Sequence, residues 1–211
     1  MSNQTIFDAL VGSGMTIEGA CALMGNMQAE SRMKSNIVQI GCSKLSDEQY
    51  TAAADNGLID FVHDGIGYGL CQWTHWERKQ RLLEFSKNLG VSVGDEDMQV
   101  KFAIREMRLY YSSTFLLLCS SHDLYYCTQS VCVNYEQPKY NNVNTRYNYA
   151  QGFLQMSHSE EPTENKIDKT ILVIQSIMAG DGYWDVERID GIRSDLFKRK
   201  IVEWANDVAT I

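Results

Sequence analysis

The sequence is short of proline and of positive charge. Only two prolines occur among 211 residues, and the 27 acidic residues outnumber the 19 lysines and arginines, which gives a net charge of -8. Nucleic acids and anionic membrane surfaces bind proteins through basic patches, so neither is an expected partner. A neutral or mixed-charge polymer fits better. With few prolines and a hydrophobic fraction of 44%, the chain is predicted to fold and to be largely helical.

Long apolar runs are missing as well. No segment approaches the ~18 consecutive apolar residues of a membrane-spanning helix. The first residues, MSNQTIFDALVGSGM, lack the basic start and the apolar centre of a secretory signal. We therefore expect the protein to be made in the cytoplasm and to stay there initially.

Motifs for binding metal are also lacking. The six cysteines include no CxxC pair, and the four histidines form neither an HxxxH nor an HExxH motif. No histidine stands at metal-ligand spacing from a cysteine. A zinc hydrolase therefore has no support, and we expect reduced cysteines, no metal and no cofactor.

The most informative stretch is ALMGNMQAESRMKSN, residues 22–36, because it ends an apolar helix on a Glu-Ser pair. Thr16 is the predicted N-cap, and apolar residues follow it with helical spacing. Glu30 falls at the edge of that apolar stripe, about one turn before the predicted helix end. There the helix dipole and partial desolvation favour a protonated carboxyl group, which a general acid needs. A lone Glu at a helix end is nevertheless usually an ordinary solvated residue, since only a cleft with partner groups marks a site.

A second informative stretch is DGIGYGLCQWTHWERKQRLLEF, residues 64–85. Its alternate glycines allow either a tight turn or the close approach of a ligand to the backbone. Thr74 and Glu77 form a capping-box pattern, which predicts a helix that ends near Leu89 with Gly90 after it. Further helices are predicted around residues 46–54, 95–111 and 123–136 and in a last segment up to residue 157.

Five motifs in order carry a resemblance to a known family: GNMQAES (25–31), GYGLCQW (67–73), WERKQRLLEF (76–85), NYEQPKY (134–140) and RYNYA (146–150). Together they resemble the phage tail lysozyme family of peptidoglycan hydrolases, over roughly residues 5–157. The Glu-Ser pair and the Gly-Leu-x-Gln block are also similar to those of soluble lytic transglycosylases and goose-type lysozymes. The resemblance implies a mainly α, lysozyme-like fold with a sugar cleft, and it makes Glu30 the catalytic acid.

The chemistry of glycosidic cleavage agrees with this assignment, because a carboxylic acid with a raised pKa must protonate the leaving oxygen. The predicted activity is hydrolysis of the β-1,4 bond between N-acetylmuramic acid and N-acetylglucosamine in bacterial peptidoglycan. A lytic transglycosylase would share the acid but form an anhydro sugar. A non-catalytic wall-binding or tail structural protein with the same fold is the alternative from another class.

The other predicted site residues each have a structural alternative. Gln72 matches the Gln of the Gly-Leu-x-Gln block and would hydrogen-bond to the sugar or to a water, or else hold its own loop. Asp64 is the predicted second catalytic carboxylate, with Asp60 in reserve, and either is otherwise a turn residue. Three aromatic residues would flank sugar rings or else belong to the core: Tyr68, Trp73 and Tyr135.

Three further residues have mainly structural interpretations. Ser31 is expected to hydrogen-bond locally, and Glu136 in the NYEQP motif fits a structural ion pair with Arg146 at least as well as a catalytic role. Cys71 stands where a small residue is expected, which raises a cysteine peptidase as an alternative. That alternative leaves the Glu-Ser helix unexplained, and Cys71 does not start an apolar helix that would stabilise its thiolate.

The polar segment SHSEEPTEN, residues 157–165, predicts a linker. The expected plan is a lysozyme-like catalytic domain at 1–157, a linker at 158–165 and a small three-helix domain at 166–211. This last segment weakly resembles the cell-wall-binding repeats of phage lysins, and such a module would raise the local enzyme concentration on the wall; the alternative is a helical hairpin packed on the first domain. The expected protein is thus a phage endolysin that leaves the host cytoplasm through a holin, or one that is carried in a virion.

Overall fold

The computed structural model describes residues 3–159. Within this range the chain forms eight α-helices and one π-helix, and its β-pairing consists of two isolated bridges, from Tyr68 to Val38 and to Trp73. The helices are α1 (Asn3–Gly12), α2 (Ile17–Ser31), α3 (Asp47–Asp55), α4 (Trp76–Leu89), α5 (Glu96–Tyr110), α6 (Ser112–Ser120), α7 (Leu124–Ser130), the π-helix (Val131–Glu136) and α8 (Val143–Ser159). The predicted mainly α fold is confirmed for these residues. The predicted domain at 166–211 and most of the predicted linker lie outside them.

Helix α2 is the central element. The hydroxyl of Thr16 accepts a hydrogen bond from the Gly19 amide, as the predicted N-cap requires. All positions from Gly19 to Met27 are buried, because α2 packs against α1, α6, α7 and the π-helix. A helix that is buried on every side lies inside the core. The single apolar stripe predicted from the sequence therefore understates how deeply α2 is enclosed.

Two glycines let other segments of the chain reach the backbone of α2. A Cβ atom at Gly25 would lie 2.6 Å from the carbonyl oxygen of Arg146 and 2.8 Å from the Cβ of Ala150. A Cβ atom at Gly19 would lie 2.1 Å from the carbonyl oxygen of Leu118. Any side chain at Gly25 would therefore push α8, which carries Arg146, away from α2.

The other predicted helices are found with shifted ends. Helix α4 begins at Trp76, and Thr74 donates to the carbonyl of Gln72 instead of capping the helix. Gly90 follows the helix with a φ of 68°, in the left-handed region, as predicted. The sequence analysis missed α1 and α6, and the single helix predicted for 123–136 is α7 continued by the π-helix. Of the helices described, none combines the length and apolar character needed to cross a membrane.

Candidate active site

A cleft of about 1030 Å³ opens beside the C-terminal end of α2. Its walls are the end of α2, residues 37–40, the glycine loop at 65–72, the first turns of α4 and the segment from 135 to 139. The volume is at the upper end of the range for small-molecule sites. Carboxylates and cations both face it, among them Glu30, Glu136, Arg78 and Arg81. The cleft therefore offers a polar, mixed-charge surface to a ligand.

Glu30 is the next-to-last residue of α2, and 18% of its side chain is exposed. Arg146 on α8 donates from Nη2 to Glu30 Oε1 at 2.6 Å and from Nη1 to Asn26 Oδ1 at 3.1 Å. The backbone turns sharply after the helix, since Arg32 and Met33 have φ values of 56° and 60°. This turn leaves Glu30 on the cleft wall. The sequence analysis paired Arg146 with Glu136. In the structure the carboxylate partner of Arg146 is Glu30 instead.

The GNMQAES motif has a structural explanation at several positions. Gly25 admits α8, and the buried amide of Asn26 donates to the carbonyl groups of Ala22 and Thr128 while its oxygen holds Arg146. The hydroxyl of Ser31 donates to the carbonyl of Met27 at 2.9 Å, the local bond expected of it. The motif thus places Arg146 and Glu30 together at the cleft.

Glu136 is the last residue of the π-helix and lines the same cleft. Its side chain is partly buried, and its Oε1 atom is buried without a hydrogen-bond partner among the described residues. Burial raises the pKa of Glu136 to about 8, and the negative charge of Glu30 adds to the increase, while Arg78 and Arg146 oppose it. Glu136 is therefore a neutral carboxylic acid at pH 7. The sequence showed the residue but not its burial.

Glu106 on α5 does not line the cleft, but it binds two residues that do, Arg78 and Tyr135. Its buried carboxylate accepts from Arg78 Nε and Nη2 at 2.9 and 2.7 Å, from Trp73 Nε1 at 3.0 Å and from the Tyr135 hydroxyl at 3.0 Å. Arg78 also lies over the Tyr135 ring, 4.6 Å from its centroid. Four donors on one carboxylate make a rigid network. This residue was missed, because Glu106 lies within an ordinary amphipathic helix and its partners come from three other segments.

Gln72 lines the cleft with a left-handed backbone, at a φ of 47°. Its Nε2 atom donates to the carbonyl groups of Ile37 and Gly69, at 3.3 and 3.1 Å. A Cβ atom at Gly67 would lie 3.0 Å from Gln72 Oε1, 3.1 Å from Thr74 Oγ1 and 3.4 Å from Gln39 Oε1. Gly67 therefore allows three side-chain oxygens to gather at the cleft wall. The Gln72 amide holds its loop and also faces the cleft, so that both of its predicted roles are compatible with this geometry.

A family model described as phage tail lysozyme matches residues 2–156. The chain belongs to the phage tail lysozyme family. This membership covers the whole domain that carries the cleft, and it identifies the domain as a lysozyme-like peptidoglycan hydrolase in general terms. A search of curated proteins finds no match to the chain.

In this member of the phage tail lysozyme family, Asp64 does not line the cleft. Lys79, whose side chain has 0% exposure, donates to Asp64 Oδ1 at 2.5 Å, and the Tyr50 hydroxyl donates to Oδ2. The Ile66 amide also donates to Oδ1, at 2.9 Å. Asp60, the predicted reserve, is exposed and pairs with His63 at 3.0 Å. The structure therefore gives Asp64 an ion-pairing role and brings Glu136, not Asp64, into the cleft with Glu30.

The three aromatic residues predicted to flank sugars are buried in this phage tail lysozyme domain. Tyr68 and Trp73 have 0% exposure, and Tyr135 has 1%. Tyr68 bonds Thr51 through its hydroxyl, whereas Trp73 and Tyr135 donate to Glu106. Tyr135 contributes to the cleft wall, but Tyr68 and Trp73 do not. The core alternative fits the placement of Tyr68 and Trp73.

Cys71 lines the cleft but is almost completely buried. Burial and the nearby acid Glu136 raise the pKa of the Cys71 thiol well above its ordinary value. A cysteine nucleophile needs the thiolate, so this environment does not favour a cysteine peptidase. Across residues 3–159, no group of three or more His, Cys, Asp and Glu side chains is arranged to hold a metal ion.

Proposed function

We propose that this protein is a phage endolysin that hydrolyses the β-1,4 bond between N-acetylmuramic acid and N-acetylglucosamine, with Glu30 as the general acid. The observation that carries the proposal is the position of Glu30, which lies in the last turn of the central helix of a phage tail lysozyme domain and faces the cleft. A second carboxyl group, Glu136, faces the same cleft. Pairs of carboxyl groups beside a sugar-binding cleft are typical of glycoside hydrolases.

The chemistry follows from these groups. Glu30 donates a proton to the glycosidic oxygen, the bond from C1 to that oxygen breaks, and positive charge develops on the sugar ring. The polar oxygens near Gly67, including the Gln72 amide, can accept hydrogen bonds from sugar hydroxyl or acetamido groups. The exposed cations Arg32 and Lys139 at the cleft suit the carboxylates of muramic acid and its peptide.

The test is mass spectrometry of the soluble fragments that the protein releases from purified peptidoglycan. Glu30→Gln removes the acid and keeps the shape of the side chain, and Glu84→Gln makes the same change on the exposed face of α4. We expect reducing muropeptides from the wild type and Glu84→Gln, and at least ~100-fold fewer from Glu30→Gln, since general acid catalysis contributes 10²–10⁴-fold.

Other outcomes assign a different function. Anhydro-muropeptides would identify a lytic transglycosylase. Equal release by Glu30→Gln would refute Glu30 as the acid, and release by Glu30→Gln but not by Cys71→Ala would indicate the peptidase. Binding to the wall without release of fragments, by wild type and variants alike, would identify a non-catalytic wall-binding or tail protein.

We also propose that residues 166–211 anchor the enzyme to the wall, and that it reaches the wall from the host cytoplasm through a holin or within a virion. The support is the weak resemblance of this segment to wall-binding repeats of phage lysins, including Trp184 and Arg188. Co-sedimentation with insoluble peptidoglycan tests the anchor. Trp184→Ala should weaken sedimentation at least ~10-fold if the segment binds, whereas equal sedimentation would refute the anchor.

A further inference from the structure

Among the buried and partly buried charged groups at the cleft, Glu136 has no counterion within the described residues. Arg78 is bound at two atoms by Glu106, and Arg146 is bound by Glu30. Glu136 makes no ion pair within residues 3–159. The two cations that act on Glu136, Arg78 and Arg146, are therefore each already paired with another carboxylate.

The surroundings of Glu136 favour its neutral form. Its Oε1 atom is buried and without a hydrogen-bond partner among the described residues, and a buried ionised carboxylate without partners is costly. The Cys71 thiol is a hydrogen-bond partner of this carboxyl group, but it is a weak donor. Glu30 adds like-charge repulsion from the end of α2. These contacts place a proton on Glu136 when Glu30 is ionised.

Arg146 lies close enough to influence both carboxyl groups. It donates to Glu30 at 2.6 Å, and its positive charge also stabilises an ionised Glu136. Its Nε atom is buried and has no acceptor in the described part of the chain. If the proton moves from Glu136 to Glu30, the negative charge stays within the field of the same arginine. Arg146 thus favours the proton on Glu136 in the resting site, because its direct contact stabilises the ionised form of Glu30 more than that of Glu136.

We propose that Glu30 and Glu136 hold a single proton between them, and that Glu136 stores this proton in the resting site until Glu30 delivers it to the substrate. This proposal rests on the proposed function, in which Glu30 is the general acid. In this proposal Glu136 does not act on the substrate directly. It is a positioning residue, because it holds the proton that Glu30 then delivers.

The Glu30–Glu136 pair regains its proton at the end of each turnover. The proton leaves Glu136 for the Glu30 carboxylate, and Glu30 transfers it to the glycosidic oxygen as the bond to C1 breaks and its electron pair goes to that oxygen. A water molecule then adds to C1, and the proton that it releases returns to the Glu30–Glu136 pair. The products are one reducing end and one free hydroxyl group, and the pair is again singly protonated.

The protonation of the pair depends on groups from all the elements around it. Helix α2 contributes Glu30 itself, and α8 contributes Arg146. The other titratable or charged groups that act on Glu136 or on these partners come from the glycine loop, α4, α5 and the π-helix: Cys71, Arg78, Glu106, Cys132 and Tyr135. Burial and nearby acids raise the pKa values of Cys71 and Tyr135 well above their ordinary values, so neither supplies the proton near pH 7.

The first experiment needs no substrate. The full chain is labelled with ¹³C at the glutamate carboxyl carbons, and the NMR shifts are followed from pH 4 to 10. We expect one glutamate to titrate at about pH 8 in the wild type, and this transition should be missing in Glu136→Gln. It should remain in Glu84→Gln. If every glutamate titrates near the ordinary value of about 4.3, the proposal is overturned.

The second experiment is the pH profile of fragment release. In the wild type, activity should fall on the alkaline side at about pH 8, as the last proton of the pair is lost. Glu136→Gln cannot store the proton, so this fall should move to lower pH by at least ~1 unit, and activity at pH 7.5 should drop at least about 3-fold. Glu84→Gln should follow the wild type. A purely structural Glu136 would change the thermal midpoint or the KM but would leave the alkaline fall where it is, and that result overturns the proposal.

The two proposals fail in different ways. If the wild type releases no glycan fragments, the proposed function fails and the delivery step fails with it, while the NMR titration still decides where the proton resides. If the wild type is active but Glu136→Gln has its unchanged pH profile, the inference alone fails.

Discussion

Replacing Asp64 by Asn separates an ion-pairing role from a catalytic one. In the structure Asp64 neutralises Lys79, whose side chain is fully buried and also donates to the Tyr50 hydroxyl at 3.1 Å and to the Ile66 carbonyl at 2.8 Å. Lys79 lies over the Phe61 ring as well, 4.2 Å from its centroid. Asp64→Asn removes the charge and nearly preserves the shape. We therefore expect a loss of stability and little change in the chemistry.

The magnitude follows from the burial of the lysine. Breaking a buried ion pair by removing one partner costs about 3–5 kcal/mol, and the retained acceptor oxygen of Asn favours the lower end, about 3 kcal/mol. For a domain of this size each kcal/mol shifts the melting temperature by about 2–4 °C, so the expected decrease is roughly 6–12 °C. Burial already lowers the pKa of Lys79, and without Asp64 it falls further. The unfolded variant then binds a proton that the folded variant lacks, so the deficit should shrink as the pH rises from 7 toward 10.

The assay combines thermal unfolding, followed by circular dichroism, with fragment release well below both melting temperatures. Asp60→Asn is the control, because Asp60 is exposed, hydrogen-bonds to His63 at the surface and acts on Lys79 more weakly than Asp64 does. It should leave fragment release unchanged and lower the melting temperature far less than Asp64→Asn does. A melting temperature equal to that of the wild type together with a 100-fold loss of fragment release would refute this reasoning and restore Asp64 as a catalytic carboxylate.

Four further outcomes can be checked by stability, activity and labelling measurements. Glu106→Ala should cost about 3–5 kcal/mol in urea unfolding, because it leaves a buried arginine unpaired, and an unchanged midpoint would contradict this. Gly25→Ala should cost about 1–3 kcal/mol and reduce fragment release by displacing α8; a crystal structure with the Arg146–Glu30 contact intact would speak against it. Cys71→Ala should retain fragment release, and a thiol reagent should modify the exposed Cys42 before any other cysteine. Because the folded pKa of Glu136 is raised, wild-type stability should fall between pH 4.5 and about 8, by up to ~1.4 kcal/mol per pH unit, and Glu136→Gln should lack this fall.

Local signals in the sequence were good guides to the parts of the fold that depend on neighbouring residues. The N-cap at Thr16 and the glycine after α4 were both found, because a hydroxyl group three residues from an amide and a left-handed residue are local requirements. Helices α1 and α6 were missed. Neither has an acidic residue in its first turn or a basic residue in its last, so both lack the charged residues that often mark helix ends.

The sequence by itself determined the helical class, the central helix and, through the ordered motifs, the family and the place of Glu30 at a helix end. Only the tertiary structure decided which groups share the cleft. Arg146 reaches Glu30 across 116 positions of the chain, Asp64 pairs with the buried Lys79 outside the cleft lining, and burial together with the charge of Glu30 raises the pKa of Glu136. The physical reason is that burial and the distances between charges set ion pairing and protonation, and both depend on segments that are far apart in the sequence.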